Sequence, residues 1–325
     1  MSYMIEAEGL KKRFGSTQAL DGVDLGVREG TVLGVLGPNG AGKTTAVRVL
    51  ATLLRADSGR ATIAGHDVVK DAVAVRRTIG LTGQYASVDE DLTGTQNLVM
   101  IGQLLNLSTK DAKARAAELL EWFGLADAAQ RRAKTFSGGM RRRLDLAASL
   151  VGRPRVIFLD EPTTGLDPAK REDMWDVVRR LVTDGSTVLL TTQYLDEADA
   201  LADEISVIDH GKVIAHDTPD GLKRQLGGQR IRVKPVDRAR LTDVNRILAD
   251  ISGHEPQATG RDELTVAVND EGALGATVGR LSDEGIGVTE LSLHLPSLDE
   301  VFLTLTGERL APEATNNENE TGVAA

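Results

Sequence analysis

The stretch TVLGVLGPNGAGKTTAVRVLATLL, Thr31–Leu54, changes character twice. Thr31–Gly37 is a near-continuous apolar run, the pattern of a strand buried on both faces. A glycine-rich turn follows, and TTAVRVLATLL then opens a helix. The turn fits G-x-x-x-x-G-K-[ST], with Gly37, Gly42, Lys43 and Thr44 in the defining places. Glycine lets backbone N–H groups converge on phosphate oxygens without Cβ clashes, and a helix N-terminus adds positive potential. The expected cradle runs through Gly37, Pro38, Asn39, Gly40, Ala41, Gly42, Lys43, Thr44 and Thr45. Lys43 can reach the outer phosphates of a nucleotide, and the Thr44 hydroxyl can ligate Mg2+.

At 325 residues the chain is long enough for two domains, and a 41% apolar content fills ordinary cores. The absence of cysteine excludes disulfides, thiolate metal sites and a cysteine nucleophile. A net charge of −10 argues against a broad footprint for nucleic acid or anionic lipid, so no nucleic-acid partner is expected. No apolar run approaches the ~20 residues that span a bilayer, and MSYMIEAEGLKK has no signal-peptide core. A soluble, non-secreted protein is expected, with any membrane work passing through a partner.

From Met1 to about Pro219, apolar strands alternate with helical segments, which predicts an α/β layer fold for residues 1–219. RVIFLDEP (Arg155–Pro162) and STVLLTT (Ser186–Thr192) read as further central strands. ISVIDHGKVIAHD reads as a hairpin turning at His210-Gly211. In TQNLVMIGQLLNL and TKDAKARAAELLEWFGL the spacing is helical instead, predicting a helical subdomain over about residues 86–145. After GLKRQLGG the pattern restarts as strand, helix, strand, helix, strand and helix. Two αβ halves of similar length predict a small ferredoxin-like α+β domain over about 220–310. The polar, non-periodic residues 311–325 read as a disordered tail.

A second acidic site narrows the chemistry. In VIFLDE four apolar residues deliver Asp160 and Glu161 at the C-terminal end of a strand, where open α/β sheets place their sites. Asp160 suits Mg2+, directly or through water. Glu161 suits a general base for attacking water, a role worth ~10²–10⁴ in rate. No N-K-x-D guanine-reading motif occurs, so GTP is disfavoured against ATP. In TFSGGMRRRLDLAASL, Ser137, Gly138 and Gly139 open another helix and make a second N-terminal anion site. One triphosphate has no use for two cradles in one chain. A head-to-tail dimer resolves this, with the Ser137 segment of each copy closing on the γ-phosphate held by the other. Arg141–Arg143 read as a solvated helix face and receive no role.

The glycine-lysine turn, FSGGM, VIFLDEP and TTGLDP, in this order and spacing, resemble the nucleotide-binding subunit of an ATP-binding cassette (ABC) transporter. The resemblance covers about residues 3–219 and implies a P-loop NTPase cassette, a RecA-like core plus a helical subdomain. It implies that Phe14 stacks on adenine, although that residue alone would read as core. It implies that Gln84 senses Mg2+ and water and passes motion to a membrane partner, and that Asp167 crosses the dimer interface. The residues themselves also give Asp167 as an N-cap ahead of Pro168.

Within that family the chain is most similar to ATPases of daunorubicin/doxorubicin-resistance-type exporters, which carry a C-terminal extension ending like PSLDEVFLTLTG. Leu298, Val301, Phe302 and Leu305 share one helical face, so packing accounts for them. The resemblance implies a homodimer around two Mg-ATP, at the cytoplasmic face of the cell membrane. It would power export of a drug-like, antibiotic-like or hydrophobic substrate through a separately encoded transmembrane permease. The alternative is a soluble cassette ATPase acting on ribosome or DNA; such proteins usually carry paired cassettes, coiled coils or basic arms, none of which is present. A third reading has the C-terminal domain bind a small molecule and gate the cassette.

One departure from the family pattern stands in LLTTQYLDEADAL, Leu189–Leu201. The family places a histidine directly after the strand, against the γ-phosphate; this chain has Gln193. His210 falls in the predicted hairpin turn, and His66, His216, His254 and His294 lie outside the motifs. A glutamine amide can donate a hydrogen bond to phosphate but carries no imidazolium charge and shuttles no proton. Gln193 is therefore expected to sense the γ-phosphate, with Glu161 as the base. Asp196, Glu197 and Asp199 read as solvated acids at a helix start, and Trp122 and Trp175 as core.

Overall fold

The computed structural model describes residues 3–83, 88–225, 229–259, 262–268, 270 and 272–307. The chain opens with a long antiparallel hairpin, β1 (Tyr3–Phe14) and β2 (Thr17–Arg28). Next come β3 (Val32–Leu36), α1 (Lys43–Leu50), β4 (Ser58–Ile63), β5 (His66–Asp67), α2 (Ala72–Thr78) and β6 (Ile79–Thr82). The stretch predicted to be helical holds α3 (Gly94–Leu104), α4 (Thr109–Trp122) and α5 (Gly138–Ser149). Thr93 opens α3 with a capping box to Gln96, and Ser108 and Ser137 cap α4 and α5. The cassette continues through β7 (Val156–Asp160), α6 (Pro168–Thr183), β8 (Thr187–Thr192), α7 (Leu195–Leu201), β9 (Glu204–Asp209) and β10 (Lys212–Asp217).

The central sheet has the order β10-β9-β3-β8-β7-β6, parallel except for β10. Every residue of β3, β7 and β8 is buried, the polar Asp160, Thr187, Thr191 and Thr192 along with the apolar runs. Alternate side chains serve two cores. Val156 and Phe158 point to α1 and the hairpin layer, whereas Ile157 and Leu159 point to α5 and α6. That hairpin layer, an antiparallel sheet of order β2-β1-β4-β5, was not foreseen. At the β9–β10 turn His210 and Gly211 have φ of 45° and 75°, the two left-handed residues of a type I′ turn.

Beyond α8 (Pro219–Gln225) lies the second unit: β11 (Gln229–Pro235), α9 (Leu241–Ser252), β12 (Gln257–Ala258), β13 (Leu264–Val268), α10 (Ala273–Asp283) and β14 (Val288–His294). Its antiparallel order β12-β13-β11-β14 is ferredoxin-like, and it has its own apolar core. The last helix, α11 (Leu298–Thr306), stays out of that core. Its Leu298, Val301 and Phe302 pack on Leu195 and Ala198 of α7, Leu36 of β3 and Leu222 of α8. Leu305, one turn further along, is 36% exposed and falls off the contact. Among the described residues no helix is long and apolar enough to cross a membrane. The tail expected over 311–325 lies outside the described residues.

Candidate active site

The buried run of β3 empties into the glycine-rich turn at the C-terminal edge of the sheet. A Cβ on Gly37 would lie 2.2 Å from the Ile208 carbonyl oxygen of β9. On Gly42, at φ 113°, it would lie 2.4 Å from the Ala19 carbonyl oxygen of β2. The flanking strands thus clasp the turn so closely that only glycine fits at either place. Asn39 and Gly40 at the tip are exposed, Pro38 and Thr45 half-buried, and Ala41 buried beneath them. Lys43 is 5% exposed and folds back, its Nζ donating to the carbonyls of Gly37 at 2.6 Å and Pro38 at 3.1 Å. Burial lowers its pKa, opposed by the nearby Glu161 and Asp160 carboxylates.

Asp160 ends β7, 4% exposed. Its Oδ1 accepts from the hydroxyls of Thr191 at 2.5 Å and Thr44 at 3.3 Å. Thr44 and Asp160 therefore bring two hard oxygen donors together, a set that suits Mg2+ completed by phosphate and water. Among the described residues no group of three or more His, Cys, Asp or Glu side chains could hold a metal by itself. Glu161 follows at φ 51°, a left-handed conformation costing ~1–3 kcal/mol for a residue with a Cβ. Its N–H donates to the Thr191 carbonyl at 3.0 Å, and the Thr164 hydroxyl donates to its Oε2 at 3.4 Å.

Ser137 caps α5, its Oγ accepting from the Met140 N–H at 3.3 Å. Among the described residues, nothing outside its own stretch of helix comes within 4 Å of where a Gly138 Cβ would be, and a Gly139 Cβ would meet Lys170 Cδ at 3.1 Å. A cleft of about 410 Å3 opens between Gly138, Glu161 and Gly165. Asp167 caps α6 ahead of Pro168, accepting from the Lys170 N–H at 3.0 Å and pairing with the Lys170 ammonium. Phe14 is 49% exposed at the end of β1, with Lys12 Nζ 5.7 Å from its ring centroid, so it is no core residue. Gln193 is half-buried just past β8. Gln84 lies outside the described residues.

Two sequence expectations need correction. The first concerns the basic run of α5. Arg141 pairs with Glu90 at 2.8 Å, Arg143 donates to the Phe123 carbonyl at 3.2 Å, and Arg142 turns inward onto backbone carbonyls beside Glu161. Successive helical positions point about 100° apart, so three adjacent arginines cannot share one solvated face. The second is Glu197, which is 0% exposed rather than solvated. Burial pushes its carboxyl up to about 7, against the opposing pull of Thr192, Thr163 and Trp175 around it. Neither carboxyl oxygen reaches good hydrogen-bond geometry with those neighbours. Its exposed neighbours Asp196 and Asp199 pair with Arg171 and Lys223. The sequence held no local sign of Glu197, whose burial comes from α7 lying against α6 and β8.

A phosphate cradle, a strand-end carboxylate pair and a second serine-glycine helix start, on a parallel sheet with a helical insertion, define a P-loop ATPase of the cassette type. The "ABC transporter" family model matches residues 20–164, and that of the "ATP-binding protein DrrA1-3-like, C-terminal domain" matches residues 218–306. The daunorubicin resistance ATP-binding protein DrrA2 of Streptomyces coeruleorubidus is 56% identical over 94% of this chain and 96% of its own. The daunorubicin/doxorubicin resistance ATP-binding protein DrrA of Streptomyces peucetius is 52% identical over 97% of both chains. A dimeric, post-hydrolysis ATP-binding cassette bound to ADP and Pi superposes with a TM-score of 0.61 and 25% identity, covering 66% of this chain and 98% of that one. The chain belongs to the ABC transporter ATP-binding proteins, in the daunorubicin/doxorubicin-resistance branch, and is an ATP-hydrolysing subunit.

Proposed function

We propose that two copies close head to tail around two Mg-ATP and power export of an antibiotic-like or hydrophobic compound through a separate membrane subunit, at the cytoplasmic face of the cell membrane. The observation that carries this reading is the pair of differently built helix starts, Gly42–Lys43 on α1 and Ser137 on α5, beside the Asp160–Glu161 pair that follows β7. The Gly37–Thr45 turn and Lys43 hold the phosphates, and Phe14 stacks on adenine. Thr44 and Asp160, with Gln84, would hold Mg2+, which neutralises phosphate charge when bound. Glu161 takes the proton of the attacking water, and Gln193 donates a hydrogen bond to the γ-phosphate. Ser137–Gly139 of the second copy close the site, with Asp167 at the same interface.

For the membrane subunit we assign a groove of about 850 Å3 lined by Val73, Arg76, Leu104, Leu105, Arg115 and Gly152. Leu104 is 75% and Val73 57% exposed there, an apolar patch rimmed by arginines. The names of the relatives, which include a linearmycin resistance ATP-binding protein of Bacillus subtilis at 33% identity, support an antibiotic cargo. We place the division of the chain at about residue 219, with 220–310 as an accessory domain. An action on ribosome or DNA is not favoured, because the relatives are drug-resistance and Nod-factor-export ATP-binding proteins and the net charge is −10.

The test is co-expression in drug-sensitive cells with a candidate permease, a multi-helix membrane protein sought in the reading frames adjoining this one. Co-purification, and drug accumulation that falls with wild type but not with Glu161→Gln, is expected. Equal accumulation with both, and no co-purification, would contradict the proposal.

A further inference from the structure

The strained turn at Glu161 needs something to hold it, and its backbone carbonyls show what does. Arg142, on the second turn of α5, gathers three of them together with the carbonyl of Gly83 past the end of β6. Its Nε donates to the Pro162 carbonyl at 3.0 Å, its Nη2 to those of Glu161 at 3.0 Å and Asp160 at 3.2 Å, and its Nη1 to that of Gly83 at 2.8 Å. Hydrogen bonds from a charged donor are stronger than those between neutral groups. Here they leave one planar fork in several directions, a geometry that a single ammonium cannot copy. The Asp145 carboxylate, 2% exposed and 3.8 Å from the guanidinium, offsets the cost of burying that charge.

We infer that Arg142 is a positioning residue for hydrolysis, which fixes the Glu161 turn and ties it to α5 and to Gly83, just past β6. The inference rests on the reading of Glu161 as the base. Its consequence is a link between the two sites of a dimer. Ser137 is the N-cap of the same helix, five residues before Arg142, and in the proposed dimer it closes on the nucleotide of the other copy. A shift of α5 on closure therefore moves the carbonyls that aim the chain's own base. Without Arg142 nucleotide still binds, because the Gly37–Thr45 turn makes no use of it, but the base is misaimed. A displacement of about 1 Å at a reacting group can cost ~10²-fold in rate.

The test measures kcat, KM and ATP affinity of the full-length chain, with single-turnover assays for slow variants. Arg142→Ala should lower kcat by ~10²-fold while KM and ATP affinity stay within about threefold, and Arg142→Lys should fall between it and wild type. The double variant Arg142→Ala with Glu161→Gln should be no slower than Glu161→Gln alone, because both act through one group. Should the alanine variant not fold, Arg142→Lys is judged by the same cycle. A slow Glu161→Gln beside an unimpaired Arg142→Ala, or fully additive losses in the double variant, would overturn the positioning role. Glu161→Gln as fast as wild type would instead remove the base, and this inference with it.

Discussion

At Gln193 the chain puts a neutral amide just past β8, where the family pattern has imidazole. A hydrogen bond from it to a charged phosphate oxygen is worth roughly 1.5–3 kcal/mol, about ten- to a hundred-fold in rate if made only in the transition state. Gln193→Ala should therefore slow steady-state ATP hydrolysis by that factor, and Gln193→His should restore it. Wild type no faster than Glu161→Gln would show that the site is degenerate. Glu197 gives a prediction in stability. Its folded pKa of about 7 stands above the ordinary value of 4.5, so between these values the folded chain keeps a proton that the unfolded chain has released. Stability falls as pH rises through that window, and a cost on the order of 3 kcal/mol stands in full above it. Glu197→Gln should raise the melting temperature at pH 8 and leave it nearly unchanged at pH 4.5; an equal shift at both would contradict the burial account. Residues whose role is local were legible in the sequence: the glycines of the turn, the Asp167 cap and the strand-end carboxylates. Arg142 and Glu197 were not, because a charged side chain in a polar helical run shows nothing of what another element will bring against it.

Among the elements, α11 gives the sharpest prediction. Phe302 is 1% exposed and packs with α7 and α8 rather than with the ferredoxin-like sheet. Phe302→Ala should cost about 3–5 kcal/mol at that contact. Hydrogen exchange should then speed up in α11 while β13 and α9 stay protected; equal loosening of all three would mean that α11 belongs to the small domain. The apolar face of this helix was legible from its spacing, but its partner was not, since periodicity names a face and never what covers it. Strand β6, only four residues long, was not legible, whereas the central parallel strands β3, β7 and β8 were, because each carries an apolar run. The hairpin layer escaped notice for the opposite reason. The β1–β2 register shifts repeatedly, for instance between Ala7 and Leu10 and between Lys12 and Arg13, which breaks the period of two that would announce a strand pair.

For the whole molecule the central matter is the sandwich, in which the glycine-lysine turn of one copy meets the Ser137 helix of the other across ATP. The chain has no native cysteine, so engineered pairs report without background. Asn39 is exposed at the tip of the turn, and cysteine is nearly isosteric with Ser137. A disulfide needs Cα atoms roughly 4.4–6.8 Å apart, which makes it a strict ruler. Two proteins, each carrying Glu161→Gln to stop hydrolysis, would be mixed, one with Asn39→Cys and the other with Ser137→Cys. A crosslinked heterodimer that forms with Mg-ATP and not without it is the expected result. Monomers alone in the presence of Mg-ATP, from folded proteins that bind the nucleotide, would contradict the head-to-tail sandwich.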